Sequence, residues 1–174
     1  MKSISFNNIK MPYYEFNFIG DYYKSLRRLR KEPTKTIYLD NGERIDEHFL
    51  ANAVRQIKDY KNQQRYEKST LIIVHNFDSY DRKDFDNAYY KPIIDAIKKV
   101  RIIYDDSWLD ISLMFLGSYS PEEKITVFVV EHFYTIPFLN AKFNDYFNKH
   151  KPRNTGIEDR IRTLKNYDNT DDFF

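Results

Sequence analysis

Between residues 70 and 115 the hydrophobic period of the chain changes twice, and that succession restricts the fold more than any other feature. Thr70-Leu-Ile-Ile-Val74 is a short, β-branched apolar run bounded by polar residues, the pattern of a buried strand. From Lys91 to Val100 the apolar residues Ile93, Ile94, Ile97 and Val100 recur at helical spacing. Leu109, Ile111, Leu113 and Phe115 then alternate with Asp110, Ser112 and Met114, which is strand periodicity again. Ile125 to Val130 is a further β-rich run, reached through a turn over Ser118 to Lys124, and these last two runs are expected to form a strand pair. Upstream, Tyr13 to Ile19 alternates aromatic and polar residues and reads as a first strand. A basic stretch, Lys24-Ser-Leu-Arg-Arg-Leu-Arg-Lys31, follows it, and Asp40-Asn-Gly42 marks a turn. Phe49, Leu50, Ala53, Val54 and Ile57 share one face of a helix for which Asp46 is the expected N-cap.

The order β, α, β, α, β, β predicts an α/β (α+β) fold: one mixed sheet of about four strands with two packed helices. Ile136 to His150, carrying Leu139, Phe143, Tyr146 and Phe147, predicts a C-terminal helical extension. Lys151 to Phe174 is polar and reads as a mobile tail, so the chain divides into a domain over residues 1–135 and an extension over 136–174. A chain of 174 residues with 41% hydrophobic residues is long enough to bury a real core, and this composition excludes a disordered or fibrous chain. No apolar run approaches membrane-spanning length, and Met1 to Met11 is too polar to hold a signal-peptide core, so a cytoplasmic location is expected. The absence of cysteine rules out disulfide staples, a thiolate zinc site and a cysteine nucleophile within the chain.

The net charge of +2 hides a division along the chain. Residues 1–68 hold fourteen basic and nine acidic side chains, whereas residues 69–150 hold nine and twelve. A protein that grips a polyanion with one surface and holds a divalent cation with another needs this division, because phosphate calls for Lys and Arg and magnesium for carboxylate oxygens. The candidate chemistry lies between residues 84 and 106. Asp84 and Asp86 are two apart, so in an extended segment their side chains point the same way and can share a metal ion. The alternative is a polar loop capping the next helix, where carboxylates stabilise the N-terminal dipole. A second acidic pair, Asp105-Asp106, follows that helix directly.

Asp84-Phe-Asp-Asn-Ala-Tyr-Tyr-Lys-Pro-Ile-Ile-Asp-Ala-Ile97, with Ile103-Tyr-Asp-Asp-Ser107 after it, resembles the RusA family of Holliday-junction resolvases. The hallmark of that family is Asp-x-Asp-Asn, a lysine, Asp-Ala-Leu or similar, and then Asp-Asp. The likeness is clear from Asp84 to Ser107 and extends more loosely from Leu71 to Val130. It implies that Asp84, Asp86 and Asp106 bind Mg2+, with Mn2+ as a substitute, that Asp105 is an auxiliary carboxylate, and that Lys91 is the catalytic lysine. It also implies a homodimer that cuts four-way DNA junctions, or related branched DNA, by paired nicks. Asn87 and Asp95 are expected to support the site from behind. The chain departs from the pattern at Ala88-Tyr89-Tyr90, one residue longer than usual, which in a regular helix would rotate Lys91 by about 100°. Pro92 suits the first turn of a helix, so the helix is expected to start near Lys91 and the preceding turn to absorb the extra residue. Without a catalytic role, Lys91 would be an ordinary i,i+4 partner of Asp95.

Lys24, Arg27, Arg28, Arg30 and Lys31 are the candidate DNA-phosphate contacts, with Tyr22 and Tyr23 available for stacking; the alternative is a solvated helix face. His48, His75, His132 and His150 are too scattered for a zinc motif and read as surface or core residues. At the C-terminus Asp171, Asp172, Phe173 and Phe174 resemble the protein-interaction tip of bacterial single-stranded-DNA-binding proteins, a partner-binding expectation set against a docked or frayed terminus. Two functional classes follow: a magnesium-dependent endodeoxyribonuclease, and a non-catalytic protein of the same fold that binds branched DNA or a replication or recombination partner. The four intact aspartates favour the enzyme, because a carboxylate cluster without a cation is electrostatically costly.

Overall fold

A central strand with both faces covered organises the molecule, and it is the β-branched run that the sequence marks as buried. The structure, a computed structural model, describes residues 1–57, 63–80, 83–84 and 87–149. In chain order the strands are β1 (Lys2–Phe6), β2 (Ile9–Ile19), β3 (Ser69–Phe77), β4 (Ile111–Tyr119) and β5 (Lys124–Glu131). The helices are α1 (Tyr23–Lys31), α2 (Ile45–Gln56), α3 (Lys91–Lys99) and α4 (Thr135–Lys149), the last preceded by one 3-10 turn at His132–Tyr134. All five strands form one mixed sheet in the order β1-β2-β5-β3-β4, which is the expected α+β class with five strands where about four were predicted. Residues Met1–Ala141 form one compact unit and Lys142–Phe174 a second, the boundary falling inside α4.

The sheet has one strand more than the sequence pattern predicts, and one pairing differs from the expected one. Asn7 and Asn8 take positive φ angles of 48° and 64°, a conformation asparagine tolerates, and this two-residue turn folds β1 antiparallel onto β2. The expected pairing of the last two strands does not form. β4 lies parallel to β3, joined through α3, while β5 crosses to the other side of β3 and runs antiparallel to both β3 and β2. A central β3 gains backbone partners on both sides, and with both faces covered it is buried along its length except at half-buried Asn76. β4 becomes an edge strand, so Leu113 and Phe115 alternate as predicted but remain exposed, as does Leu109 in the preceding loop.

The register separates two apolar layers. Leu71 and Ile73 face Val129 and Val127, which in turn face Tyr14 and Phe16, and this side packs against α1, α2 and α3. The opposite side carries Tyr13 and Phe128, whose rings lie 5.0 and 5.8 Å from that of Phe138 at the start of α4. In α2, Phe49 and Ala53 are buried, while Val54, predicted on the same face, is exposed. The helix begins at Ile45 with Arg44 as its N-cap, so Asp46 does not cap it; Asp46 sits in the first turn and pairs with Arg44 at 2.8 Å, where its charge still favours the dipole.

α3 starts at Lys91 with proline in its first turn, as the Lys91-Pro92 dipeptide predicts, and buries Ile93, Ile94 and Ile97. It ends through Arg101, whose φ of 61° is left-handed and whose N–H donates to the Lys98 carbonyl at 2.9 Å. Glycine holds such a position most easily, and another residue there costs roughly 1–2 kcal/mol. Gly20, with φ of 141°, ends β2 where a side chain would meet the ring of Tyr22 at 3.0 Å; its N–H donates to the Glu123 carbonyl and brings Asp21 beside that residue.

Candidate functional site

Positions 91, 95 and 98 follow one another at helical spacing on the solvent face of α3, and the chain after the helix returns along them. Lys91 donates to Asp95 at 2.8 Å and to Asp106 Oδ2 at 2.6 Å. Lys98 donates to the other Asp106 oxygen at 2.9 Å and to Asp105. Asp105 Oδ1 also accepts the N–H of Asp106 at 2.8 Å, which fixes the acidic pair as a turn. The i,i+4 pairing of Lys91 with Asp95 and its contact with the acidic pair therefore coexist. Hydrogen bonds from Lys91 and Lys98, together with Asp105, hold the Asp106 carboxyl well below the usual carboxylate range. The same bonds raise the ammonium of Lys91, through Asp106 and then Asp95, and that of Lys98, through Asp105 and then Asp106. Lys91 is thus a fixed positive charge at neutral pH and not a proton donor or acceptor.

Asp84 stands in a separate arrangement. Its Oδ2 accepts from the Asn87 side chain at 3.1 Å, and its backbone N–H and carbonyl both meet the Tyr23 hydroxyl, at 3.1 and 3.2 Å. It does not cap α3, whose N-cap is Tyr90 with no side-chain hydrogen bond. Among the described residues no hydrogen bond joins Asp84 to the Lys91–Asp106 cluster, and no group of three acidic or histidine side chains could hold a metal ion. Asp86 lies outside the described residues. The donor chemistry nevertheless suits a hard cation such as Mg2+: Asp84, Asp105 and Asp106 offer only oxygens, and Asp106 stays ionised. Two ammonium groups occupy both oxygens of Asp106, so a cation there takes the place of at least one of them. The same lysines balance much of the acidic charge, which weakens the expectation that intact aspartates require a metal.

A second, buried network that no sequence motif marks lies behind the site. His75 is fully buried, with Nδ1 2.9 Å from the Tyr90 hydroxyl and Nε2 3.0 Å from Glu123 Oε1. Lys83 reaches the second Glu123 oxygen at 3.4 Å, and the Tyr23 N–H donates to the first at 3.4 Å. Burial pushes the Glu123 carboxyl up, but His75, Lys83 and the Tyr23 N–H together outweigh it and leave it below its ordinary range. Burial also raises Tyr90. Asp21 is raised by desolvation first and then by the neighbouring Glu123 charge. The network borders both Asp84 and Lys91, because Lys83 precedes the one and Tyr90 the other. One sequence signal for it existed: His75 has the parity of Leu71 and Ile73 in β3, an inward position.

Lys24, Arg27, Arg28, Arg30 and Lys31 are all exposed on α1, and among the described residues no ion pair engages them. Tyr22 and Tyr23 are not available for stacking. Both are buried, Tyr22 donating to the Ile19 carbonyl and packing on Phe49, because the helix turns its apolar face, with Leu26 and Leu29, onto the sheet. His48 bridges Glu43 and Tyr22, and His132 meets Thr70; His150 and the terminal Asp171, Asp172, Phe173 and Phe174 lie outside the described residues. Among the described residues no helix is long and apolar enough to cross a membrane. No protein-family model matches the chain, and neither does any curated protein.

Proposed function

We propose that the protein is a divalent-cation-dependent endodeoxyribonuclease of the RusA type, a homodimer that hydrolyses phosphodiesters in four-way or related branched DNA by paired nicks. The observation that carries this reading is the 2.6 Å contact between Lys91 and Asp106 across 15 positions of sequence. The extra residue before Lys91 does not turn it away, because the helix begins at Lys91 and its side chain lies along the same face as Asp95 and Lys98. Asp84, Asp86 and Asp106 would hold the cation, with Asp105 beside them. Held by these residues, such a cation would supply a lowered pKa for water and compensation for negative charge. Lys91, permanently charged, sets a cation beside the scissile phosphate, where negative charge builds in the transition state. Asn87 orients the Asp84 carboxylate. No side-chain nucleophile is required.

One observation favours the non-catalytic reading: Lys91 and Lys98 compensate the acidic pair without a metal. Both readings are tested by incubating a labelled synthetic four-way junction, with duplex and single-strand controls, in magnesium and in EDTA. The enzyme gives paired, metal-dependent nicks that Asp84→Asn abolishes. Junction binding without cleavage in magnesium or manganese overturns the nuclease reading and leaves a branched-DNA binding protein.

A further inference from the structure

At the C-terminal end of α3, away from the helix start that carries Lys91, Gln63, Arg65, Lys99 and Arg101 line an open cavity of about 490 Å3. Among the described lining residues three of the four are cations and none is acidic. Arg65 is held in place: Nε and Nη2 donate to the Ile103 carbonyl at 3.1 and 3.0 Å, Nη2 also meets the Tyr104 carbonyl at 3.2 Å, and the guanidinium lies 3.8 Å from the centre of the Tyr104 ring. Those bonds leave Nη1 free to donate. Gln63 is anchored through its amide to the Val100 carbonyl. Lys99 and Arg101 are exposed, and among the described residues no acidic partner engages either side chain. Arg101 keeps this long cationic side chain at a left-handed position that glycine would hold with less strain, a local conflict of the kind found at functional positions.

We propose that this cavity seats a phosphate of the DNA backbone, an inference that rests on the nucleic-acid reading above. The chemistry is that of any phosphate: a fixed guanidinium, two free cations and an amide. DNA is favoured over a free anion for two reasons. The cavity is open, as a phosphate still attached to its chain requires, and the segment Arg65 clamps, Ile103-Tyr104, runs directly into Asp105-Asp106. The nine residues of α3 span about 14 Å, which a DNA strand covers in about four nucleotides, so one strand can touch both ends of the helix.

Fluorescence anisotropy with a labelled duplex and a labelled four-way junction, without divalent metal so that cleavage plays no part, tests the proposal. Lys99→Gln combined with Arg101→Gln should weaken binding about tenfold and flatten the salt dependence by roughly the slope of one to two phosphate contacts. Lys10→Gln combined with Lys35→Gln removes the same charge elsewhere and should change affinity less than about twofold. Arg101→Gly should raise Tm or leave it unchanged while weakening binding about threefold, which a merely structural arginine would not do. Unchanged affinity in the cavity variants, an equal loss in the control, or no DNA binding by the wild type overturns the proposal. So does a cavity that inorganic phosphate occupies, seen as shifts of the Gln63 and Arg101 NMR signals, while DNA affinity is indifferent to the variants. Wild-type binding that the cavity variants weaken, with no cleavage in magnesium, keeps the phosphate seat and removes the nuclease reading alone.

Discussion

Two charge networks flank Tyr90, built from similar groups and separated by their access to water. In the first, His75 and Glu123 keep 0% and 3% of their side-chain surface and Lys83 18%. In the second, Lys91, Asp106 and Lys98 keep 44%, 27% and 40%. Away from water a lost partner leaves a polar group unsatisfied, so the buried set can only be complete or badly broken. Near water a partner can be exchanged for a solvent molecule, a cation or a phosphate oxygen with little loss. The buried network therefore suits the task of a frame and the exposed one the task of a site. That difference gives each residue a distinct expected response.

The largest effect belongs to Glu123. Glu123→Ala strands His75 in the interior, leaves Lys83 only Asp78 at 3.8 Å, and should lower unfolding free energy by about 3 kcal/mol, measured by urea denaturation. Glu123→Gln keeps an acceptor for His75 and should lose distinctly less. A loss below about 1 kcal/mol in the alanine variant would mean that water replaces the carboxylate, and the two networks would then differ only in degree.

Asp106→Asn should do the reverse. On the nuclease reading it lowers junction cleavage at least about 100-fold, roughly 2.7 kcal/mol of barrier, while stability falls by no more than about 1 kcal/mol. A variant that cuts normally, or one that unfolds, breaks the division between frame and site.

Acid and salt sharpen the comparison further. Glu123 and Asp106 both have depressed carboxyl values in the fold. Each therefore contributes stability that is fully present above its unfolded value, 4.5 and 3.8 respectively, and is lost as pH falls through the folded one. About 0.5 M salt should erase most of the Asp106 contribution and leave that of Glu123, because only the exposed pair is screened. Thermal melts between pH 2 and 6 at two ionic strengths, with Asp106→Asn and Glu123→Gln as controls, separate the two.

The legibility of these features in the sequence follows their locality. β3, α3 and α4 announce themselves through periodicity, and the start of α3 at Lys91 could be read from Pro92. Lys91, Asp95, Asp105 and Asp106 were legible because they lie close along one helix and the turn that returns beside it, whereas Lys98 carries no motif and joins the cluster only because that turn returns over it. What escaped depends on which strands lie side by side. The insertion of β5 between β2 and β3 is a long-range choice that the β4 and β5 patterns cannot reveal, and it is this choice that carries the turn with Glu123 to His75. Tyr22 and Tyr23 misled for the same reason: adjacent to a basic run they looked like surface aromatics, and only the packing of α1 on the sheet buries them. Arg65 and Arg101 are 36 positions apart, as their numbers show, and nothing local joins them into one cavity.

The smallest effect lies at the edge of the buried network, where the sign is opposite. Asp21 is held beside Glu123, and its carboxyl is raised by desolvation and then by that neighbouring charge. A raised carboxyl contributes stability that is present below its unfolded value of 3.8 and is lost as pH rises through the folded one, so at neutral pH the ionised Asp21 works against the fold. Asp21→Asn should therefore raise Tm at pH 7 by roughly a degree or two, and the gain should vanish as the pH falls below about 3.8. It should shrink, without vanishing, in the Glu123→Gln background, since only part of what Asp21 opposes is the Glu123 charge. If the gain survives there undiminished, desolvation alone raises Asp21, and the buried network does not extend from Glu123 to Asp21.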